Sequence, residues 1–405
     1  MSHAASIPKY WARRMARKHH KIDVFRAIAS FEQEAVLKKG DTVSRPYRST
    51  LVTKKHTRST TFTAQDPSET EELLTVQESR ILPFYIDDLD ELQANYNLRN
   101  EYADDSAKLL SNDVDGEVLS EYDQAISTVD MADFGGSADE GITVSESNVK
   151  RLFTIAKRKL RKQNVVVSSG DLFAVCSPEL VQILEDMLAN KESGLGDSTS
   201  LNGHMGKYMG FEIYESNALS CTKELALATT PTDGDTVVLT VGAATATFTF
   251  KTTLGATAGN VLIGGSADVA RANLVALINA PSTTTANGVA LATADADELL
   301  KYATATNDNT ANTASIEVRG QGTFTATETL TDATDGFTAA KDIQHNLFGK
   351  KGAIDVVIQA MPNVKVKDVS NMTGANIVQW NLFGKKTFND GAKELVDVRV
   401  RADQF

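Results

Sequence analysis

The sequence predicts an α+β protein whose long elements project from a compact body, and three observations support this. The segment from Pro83 to about Ile126 repeats apolar residues at helical spacing and contains no further proline. Thr50–Thr63 is rich in threonine and valine, which is typical of a hairpin. The segment 224–341 is rich in threonine and alanine and poor in lysine and arginine, which indicates a separate β-rich module.

The bulk composition bounds the class of protein. A length of 405 residues suggests two or three domains, and 41% hydrophobic with 23% charged residues is ordinary for a folded protein. A net charge of −12 argues against general nucleic-acid binding by the whole molecule. The two cysteines, Cys176 and Cys221, form no disulfide framework. No apolar run is as long as a membrane span, so we expect no membrane partner.

The long helix is predicted to be acidic on most of its surface. It would reach roughly 60 Å at the rise of an α-helix. Its narrow apolar stripe needs a surface to lie on, either its own chain or a neighbour. The stripe residues are Tyr85, Leu89, Leu92, Tyr96, Ala103, Ala107, Leu110, Val114, Val118 and Tyr122. We expect the stripe to lie on a sheet of its own domain, built partly from Glu394–Val400.

The N-terminal segment carries the opposite charge. Its positive residues include Lys9, Arg13, Arg14, Arg17, Lys18, Lys21 and Arg26. Such an arm fits an acidic surface, which could be nucleic acid, a partner's carboxylates or the acidic helix. A solvated amphipathic helix explains the same residues equally well.

The hairpin predicted around Thr50–Thr63 has few large apolar residues to bury. A polar two-stranded hairpin is marginal by itself, so we expect it to be stabilised by lying on another subunit. Its charged residues are Lys54, Lys55, His56 and Arg58.

The body alternates helices and strands. A helix is predicted to start at Ser145, a strand at Val165–Val167 and another at Leu172–Cys176. Ser177 and Pro178 then open a helix as N-cap and first helical residue. The remaining predicted elements are a strand at Phe211–Glu215, a hairpin around Gly242, a helix at Ala267–Ile278 and strands at Ala353–Ile358, Val364–Lys367 and Glu394–Val400.

One hexapeptide, Asn-Leu-Phe-Gly-Lys-Lys, occurs twice, at 346–351 and 381–386. Two equivalent glycine turns are the simplest interpretation, and we prefer them to a ligand-binding role.

Motifs for chemistry are missing from the sequence. None of the six histidines stands at a metal-ligand spacing, and there is no nucleophile elbow. The glycine-rich run Gly194–Lys207 lacks the phosphate-loop spacing and is predicted to be a flexible loop. Asp113–Gly116 falls short of a calcium loop. We therefore predict no catalytic, cofactor or metal residue and no enzymatic activity.

The order of these parts resembles the major capsid (coat) proteins of tailed bacteriophages with the Hong Kong 97-type fold. Leu172–Leu180 is similar to the strand-then-helix segment of that family's A domain, and Gly206–Asn217 to the strand after its glycine-rich loop. Arg80–Leu119 resembles the spine helix of its P domain. The resemblance covers about residues 1–223 and 342–405, and 224–341 resembles the insertion domains of some members.

This resemblance implies a domain plan. It comprises an N-terminal arm at 1–39, an extended hairpin (E-loop) at 40–82, a P domain at 83–165 and 364–405, an A domain at 166–223 and 342–363, and a β-sandwich-like insertion at 224–341. The implied function is self-assembly as hexamers and pentamers into an icosahedral shell that encloses double-stranded DNA.

Partners follow from the same resemblance. They are other copies of the chain, a portal protein, non-specifically packaged DNA and, optionally, a decoration protein. Because the chain begins directly at the arm, a separate scaffolding protein is also expected. The implied location is the virion, with the host cytoplasm during assembly.

The candidate intersubunit contacts are the charged residues of the arm, hairpin and helix. They are Arg13, Arg14, Arg17, Lys18, Arg45, Lys54, Lys55, Arg58, Asp87, Asp88, Asp104 and Asp105. A lysine of the hairpin forms a cross-link in some family members, but no acceptor can be assigned here. The alternatives are a phage tail-tube or surface-adhesion protein, which would leave the acidic helix unexplained, and a metabolic enzyme with an unrecognised site.

Overall fold

The computed structural model describes residues 21–35, 37, 40–59, 61–93, 98–167, 170–189, 206–322, 324–368 and 374–402. Its α-helices are α1 Phe25–Ile28, α2 Asp88–Gln93, α3 Leu98–Leu119, α4 Val149–Lys162, α5 Pro178–Ala189, α6 Ala267–Asn279, α7 Thr293–Tyr302 and α8 Asn389–Lys393. Short 3-10 turns lie at Glu32–Ala35, Ser120–Gln124, Met131–Phe134 and Ala339–Lys341. Among these residues, no helix is both long and apolar enough to cross a membrane.

The strands of the described residues form four sheets. In chain order they are β1 Thr42–Arg48, β2 Glu69–Thr75, β3 Glu78–Ile86, β4 Ser127–Val129, β5 Leu172–Cys176, β6 Lys207–Tyr208, β7 Phe211–Glu215, β8 Cys221–Ala226, β9 Thr236–Val241, β10 Ala244–Lys251, β11 Asn260–Leu262, β12 Ala303–Asp308, β13 Thr313–Val318, β14 Thr325–Glu328, β15 Gly336–Phe337, β16 Ile343–Lys350, β17 Asp355–Asp368, β18 Ala375–Lys386 and β19 Leu395–Arg401.

The chain divides into two compact units. The first consists mainly of Ser30–Val114 and Asp355–Phe388, and it holds the β1–β2 hairpin and the sheet β17-β18-β3. Helix α3 is tied to that sheet by two amide side chains. Gln379 Nε2 donates to the Ala103 carbonyl at 3.0 Å, and Asn381 Nδ2 donates to the Leu110 carbonyl at 3.3 Å.

The second unit comprises Ile22–Ala29, Asp115–Ile354 and the C-terminal stretch from Asn389. Its large sheet runs in the order β12-β13-β8-β16-β5-β7-β6, with β19 on β16 and β4 on β19. A separate four-stranded sheet has the order β11-β10-β9-β14.

Two hydrophobic cores stabilise the second unit. The first packs α4 and α5 against β5, β7 and β19, with Phe153, Phe211 and Phe348 in mutual ring contact. The second, which we call the peripheral core, is formed by buried residues between Cys221 and Phe324 and is centred on β9, β10, β13 and α6. A core of its own is what an inserted module needs, although β8 and β13 belong to the large sheet.

Several predicted elements are confirmed. Helix α5 begins at Pro178, and the Ser177 hydroxyl accepts the Leu180 N–H at 3.3 Å as an N-cap should. The hairpin around Gly242 forms, with Ala244 paired to Val241. Helix α6 occupies the predicted range almost residue for residue.

The predicted start of the long helix is wrong. Pro83 lies in β3, which pairs with β18, and the helical region is divided into α2 and α3. Proline is accepted there because β3 is an edge strand, where one row of N–H groups has no ladder partner. The apolar stripe is also incomplete, because Leu89 and Leu92 are 59% and 83% exposed. Burial of the stripe begins at Leu110 and continues to its last residue, Tyr122.

The predicted position of the last strand is wrong as well. Strand β19 does not join β17 and β18 under α3 but pairs with β16 and β4 in the second unit. The segment 364–405 is thus divided between the two units at Phe388 and Asn389.

Two further strand predictions are wrong, because the predicted segments have no partner strand in the described part of the chain. No described residue of Thr50–Thr63 lies in a strand, and the hairpin is built from the flanks of this segment, β1 and β2. Val165–Val167 is not a strand either, and Val166 is 61% exposed. β-branched residues suit a strand only where a partner strand is present.

The repeated hexapeptide does not make glycine turns. Both copies lie inside strands, β16 and β18. A Cβ on Gly349 would lie 2.7 Å from the Glu394 carbonyl oxygen, and one on Gly384 would lie 2.6 Å from that of Thr75. In both places the backbone of another segment lies against the glycine, which leaves no room for a larger residue.

Candidate assembly surfaces and a buried polar cluster

The hairpin projects an apolar tip. Leu51, Val52 and Phe62 are 64%, 66% and 79% exposed. The loop between β1 and β2 is held by its own polar contacts: Lys54 Nζ donates to the Thr63 carbonyl at 2.9 Å, and the Gln65 amide oxygen accepts the Val52 N–H at 2.9 Å. Large apolar side chains exposed on an extended loop are typical of a surface that a partner covers.

The predicted contact residues of the hairpin differ in their surroundings. Lys55 and Arg58 are exposed beside the tip. Arg45 instead turns toward its own unit, where its guanidinium lies 4.9 Å from the Phe388 ring centroid and 3.9 Å from an Asp355 carboxylate oxygen.

The predicted acidic contact residues lie at the start of α2 and on α3. Asp87 Oδ1 accepts the Leu89 N–H at 2.9 Å, and Asp88 forms an ion pair with Arg99 at 2.8 Å. On α3, Asp104 is exposed and Asp105 is half-buried. Four predicted arm residues and most of the predicted glycine-rich loop lie outside the described residues: Arg13, Arg14, Arg17, Lys18 and 194–205.

One surface was not predicted. The face of β3 opposite the first unit's interior exposes Ile81 by 66% and Tyr85 by 41%. On the neighbouring strand, Ile81 is paired with Trp380, over whose ring the Lys365 ammonium lies at 5.8 Å from the centroid. The alternation of Ile81, Pro83 and Tyr85 was the available signal.

A second missed feature is a buried polar cluster in the second unit. The rings of Tyr122 and His345 are stacked with centroids 3.8 Å apart. His345 Nδ1 lies 3.0 and 3.1 Å from the carboxylate oxygens of Asp397, and Nε2 lies 3.0 Å from Thr222 Oγ1. Arg399 Nε donates to the same carboxylate at 2.9 Å.

The cluster has definite electrostatics. Burial raises the pKa of Tyr122 well above its usual value, and the charge of Glu317 adds to the effect, so the phenol stays protonated. Burial also acts to raise the pKa of Asp397, but the charges and hydrogen bonds of His345 and Arg399 outweigh it and lower that pKa. A cavity of about 340 Å³ adjoins the cluster.

Among the described residues, two further kinds of group bear on reactivity: the two cysteines and the possible metal ligands. Burial raises the pKa of the Cys176 and Cys221 thiols, which keeps both in the unreactive neutral form. Within the part of the chain that the structure describes, no three His, Cys, Asp or Glu side chains are grouped to hold a metal ion.

Solved phage structures share this fold. A chain from Mycobacterium phage Che8 matches with a TM-score of 0.59 and 15% identity, covering 98% of both chains. A chain from the capsid structure of the cyanophage P-SCSP1u matches with a TM-score of 0.51 and 11% identity, covering 98% of this chain and 93% of that one. Neither protein-family models nor curated proteins match the sequence.

The chain therefore has a fold found in a phage capsid. This confirms the prediction of an α+β fold that is similar to a phage capsid fold. At these identities the likeness concerns the fold alone, so the Hong Kong 97-type elements, the inserted domain and the contact residues stay predictions.

Proposed function

We propose that this chain is the major capsid protein of a tailed bacteriophage with the Hong Kong 97-type fold. It assembles as hexamers and pentamers into an icosahedral shell around double-stranded DNA. The observation that carries the proposal is the fold shared over 98% of this chain with a chain of the cyanophage capsid structure. Because one fold can serve many functions, the surfaces of the chain supply the further support.

The hairpin supports self-assembly. Its tip exposes Leu51, Val52 and Phe62, and its strands have no sheet partner beyond each other within the described chain. Association with another subunit would cover both the exposed apolar side chains and the open strand edges. A contact between this tip and a different surface on another copy is heterologous, and such contacts form rings when the rotation between copies closes.

The charged segments support two further contacts. The acidic face of α3, represented by Asp104 and Asp105, and the basic residues of the arm, such as Arg13 and Arg14, have opposite charge. Pairing between subunits, or contact of the arm with packaged DNA, would use this difference. Scaffolding, portal and decoration proteins are the proposed partners, with the virion as final location and the host cytoplasm during assembly.

The segment 224–341 is proposed to be an inserted domain that braces neighbours or shapes the outer surface. The peripheral core supports its independent packing. A deletion of 224–341 should leave the core around Phe153 folded, although it removes the second half of β8. Complete loss of folded structure in that deletion would contradict the insertion.

The test of the function is assembly of the purified chain, observed by negative-stain electron microscopy and sedimentation. Shells or capsomers are expected. Tubes or stacked rings would support the alternative of a tail-tube or adhesion protein, and compact small oligomers would contradict both proposals.

A variant pair links assembly to the hairpin. Phe62→Ser should abolish shells while leaving the melting temperature of the subunit unchanged, because Phe62 is 79% exposed. Leu300→Ser is the matched control, since Leu300 is 57% exposed on α7. Equal assembly of both variants would remove the hairpin from the mechanism.

A further inference from the structure

Helix α4 has a strongly basic outer face. Its apolar side chains are all buried in the first hydrophobic core. Its charged side chains are all cations: Lys150, Arg151, Lys157, Arg158, Lys159, Arg161 and Lys162. Lys157 and Lys159 are half-buried, and the other five are exposed. A chain of net charge −12 thus places seven positive charges and no negative charge on a helix of 14 residues.

The basic face is continuous along the helix. Cations lie at 150–151, 157–159 and 161–162, and the exposed Thr154 lies between the first two groups. Steps of three and four residues place these side chains on one side of a helix. The face is about 18 Å long at the rise of an α-helix. Duplex DNA carries about ten phosphates over that length of its axis.

The helix dipole accounts for only part of this face. The cations of the last turn interact favourably with the partial negative charge of the helix C-terminus. Lys150 and Arg151 lie at the other end, where the dipole repels positive charge, and the first turn contains no acidic residue. Two pairs of like charge also lie four residues apart, at 157 and 161 and at 158 and 162, and they repel each other. The full set of cations therefore opposes helix stability, and a bound polyanion would relieve the repulsion.

One carboxylate among the described residues pairs with this face. Asp133 Oδ1 lies 3.2 Å from Arg158 Nη2, and the same carboxylate binds Lys159. The Asp133 carbonyl accepts a hydrogen bond from Arg151 Nη2 at 2.9 Å. These contacts orient three side chains and neutralise one charge of seven. The cations that form no ion pair with another described residue include Lys150, Arg161 and Lys162.

The chemistry of the face matches a phosphate backbone. Lysine and arginine side chains donate hydrogen bonds and accept none, and ionised phosphate oxygens accept them. The centre of a protein–protein interface is instead depleted in lysine and enriched in aromatic residues. No apolar side chain of α4 is exposed, so the face lacks the contacts that a protein partner would use.

We propose that the outer face of α4 binds the phosphate backbone of double-stranded DNA, without regard to base sequence. Backbone contacts supply affinity and carry no sequence information. The identity of this polyanion as packaged DNA rests on the proposed function, and in an assembled shell α4 would then face the interior.

The test is binding of the unassembled full chain to a short fluorescent DNA duplex, measured by fluorescence anisotropy over a range of salt concentrations. The variant combines Lys150→Gln, Arg161→Gln and Lys162→Gln. Each phosphate contact contributes about 0.9 to the slope of log affinity against log salt, so the slope should decrease by about 2–3. The affinity at about 50 mM salt should fall at least tenfold.

A matched variant controls for net charge. It combines Arg48→Gln, Lys55→Gln and Arg58→Gln, which removes three exposed cations from the hairpin. This control should keep the salt slope of the parent, and both variants should keep its melting temperature. Equal slopes for the two variants would overturn the proposal. If the α4 variant misfolds, Lys150→Gln alone should still lower the slope by about 1.

Two further measurements separate the partners. Duplexes of unrelated sequence should bind within about twofold of each other, since phosphate contacts do not read bases. A poly-glutamate peptide should bind at least about tenfold more weakly than DNA, and tighter binding of the peptide would overturn the proposal in favour of an acidic protein.

Electron microscopy of the same preparations separates this inference from the proposed function. Shells formed by a chain that binds no DNA would overturn the inference alone. A reduced slope in the α4 variant of a chain that forms no shells would support the DNA-binding face and contradict the capsid function.

Discussion

The backbones of Gly116 and Gly320 are in direct contact. A Cβ added to Gly116 would lie 2.8 Å from Gly320 Cα. Beside this contact, Arg319 lies between Glu117, 3.9 Å away, and Glu317, 3.3 Å away. The last turn of α3 is therefore packed directly on the chain that follows β13.

This contact predicts the effect of Gly116→Ala. Alanine normally stabilises a helix over glycine by about 1 kcal/mol. Here the methyl group meets backbone that cannot turn aside, and overpacking typically costs about 1–3 kcal/mol. We expect a net loss in the free energy of unfolding, measured by urea titration. Gly265→Ala, with no atom within 4 Å of the new methyl group, is the control and should be near neutral.

The anchoring of the N-terminal segment predicts a second effect. Asp115 Oδ1 accepts the N–H groups of Val24 at 2.9 Å and Phe25 at 2.7 Å, and all three residues are buried. Asp115→Ala leaves two buried donors without this acceptor, at about 1–3 kcal/mol each. Faster hydrogen exchange at residues 24 and 25 and a lower urea midpoint are expected. Asp104→Ala on the exposed face of α3 should change neither.

The lowered pKa of Asp397 predicts loss of stability in acid. A carboxyl whose pKa is lower in the folded state contributes stability above its unfolded value of 3.8, and loses it as the pH falls through the folded value. Asp397→Asn should reduce the free energy of unfolding at neutral pH by about 3–5 kcal/mol, because it breaks a buried pair. Its stability should also fall less steeply below about pH 5.

Urea midpoints measured from neutral pH down into acid check this prediction. Parallel curves for the parent and Asp397→Asn would show that the acid sensitivity lies elsewhere. Asp139→Asn is the control, since Asp139 also binds Arg399, at 2.6 Å, but is 67% exposed.

Charge reversal on α3 should affect assembly more than folding. Asp104→Lys combined with Asp105→Lys is expected to abolish shells seen by electron microscopy and to change subunit stability by about 0.5 kcal/mol or less. Asp295→Lys with Asp297→Lys on α7 is a matched pair, because it too joins one half-buried and one exposed carboxylate. Shells from the α3 variant that equal those of the α7 variant would exclude this face from the interface.

Regular local patterns predicted much of the fold. Helix α5 carries its own start signal in Ser177 and Pro178, and the hairpin at Gly242 carries its own turn. The segment around Pro83 was ambiguous, because Tyr85 and Leu89 fit a helical period while Ile81, Pro83 and Tyr85 fit a strand. Pairing with β18 decides the outcome there, and β18 lies some 290 residues later, beyond any local pattern.

The buried cluster was beyond the reach of sequence for a similar reason. In the sequence, His345 stands at no metal-binding spacing, and nothing else there points to a role for it. Its actual partners, Tyr122, Thr222 and Asp397, come from three distant segments. The sheet order of β8, β16 and β19 brings Thr222, His345 and Asp397 together, and the 3-10 turn after α3 adds Tyr122.

The two copies of the repeated hexapeptide make the same two kinds of contact, one through asparagine and one through glycine. In β16, the Asn346 amide oxygen accepts the Ser177 N–H at 2.7 Å, and in β18 the Asn381 amide oxygen accepts the Arg80 N–H at 3.1 Å. Three residues later, Gly349 and Gly384 each lie against the backbone of another segment.

A newly synthesised chain thus contains two identical hexapeptides that must enter two different strands, β16 and β18. During folding, either copy satisfies the polar and steric demands of either position. The strand that each copy joins must therefore depend on the residue that precedes it. His345 precedes the first copy and contacts the buried Asp397 carboxylate, and Trp380 precedes the second copy and pairs with Ile81 on the sheet. Exchanging these two neighbours would remove the information that tells the strands apart and would favour misfolded chains.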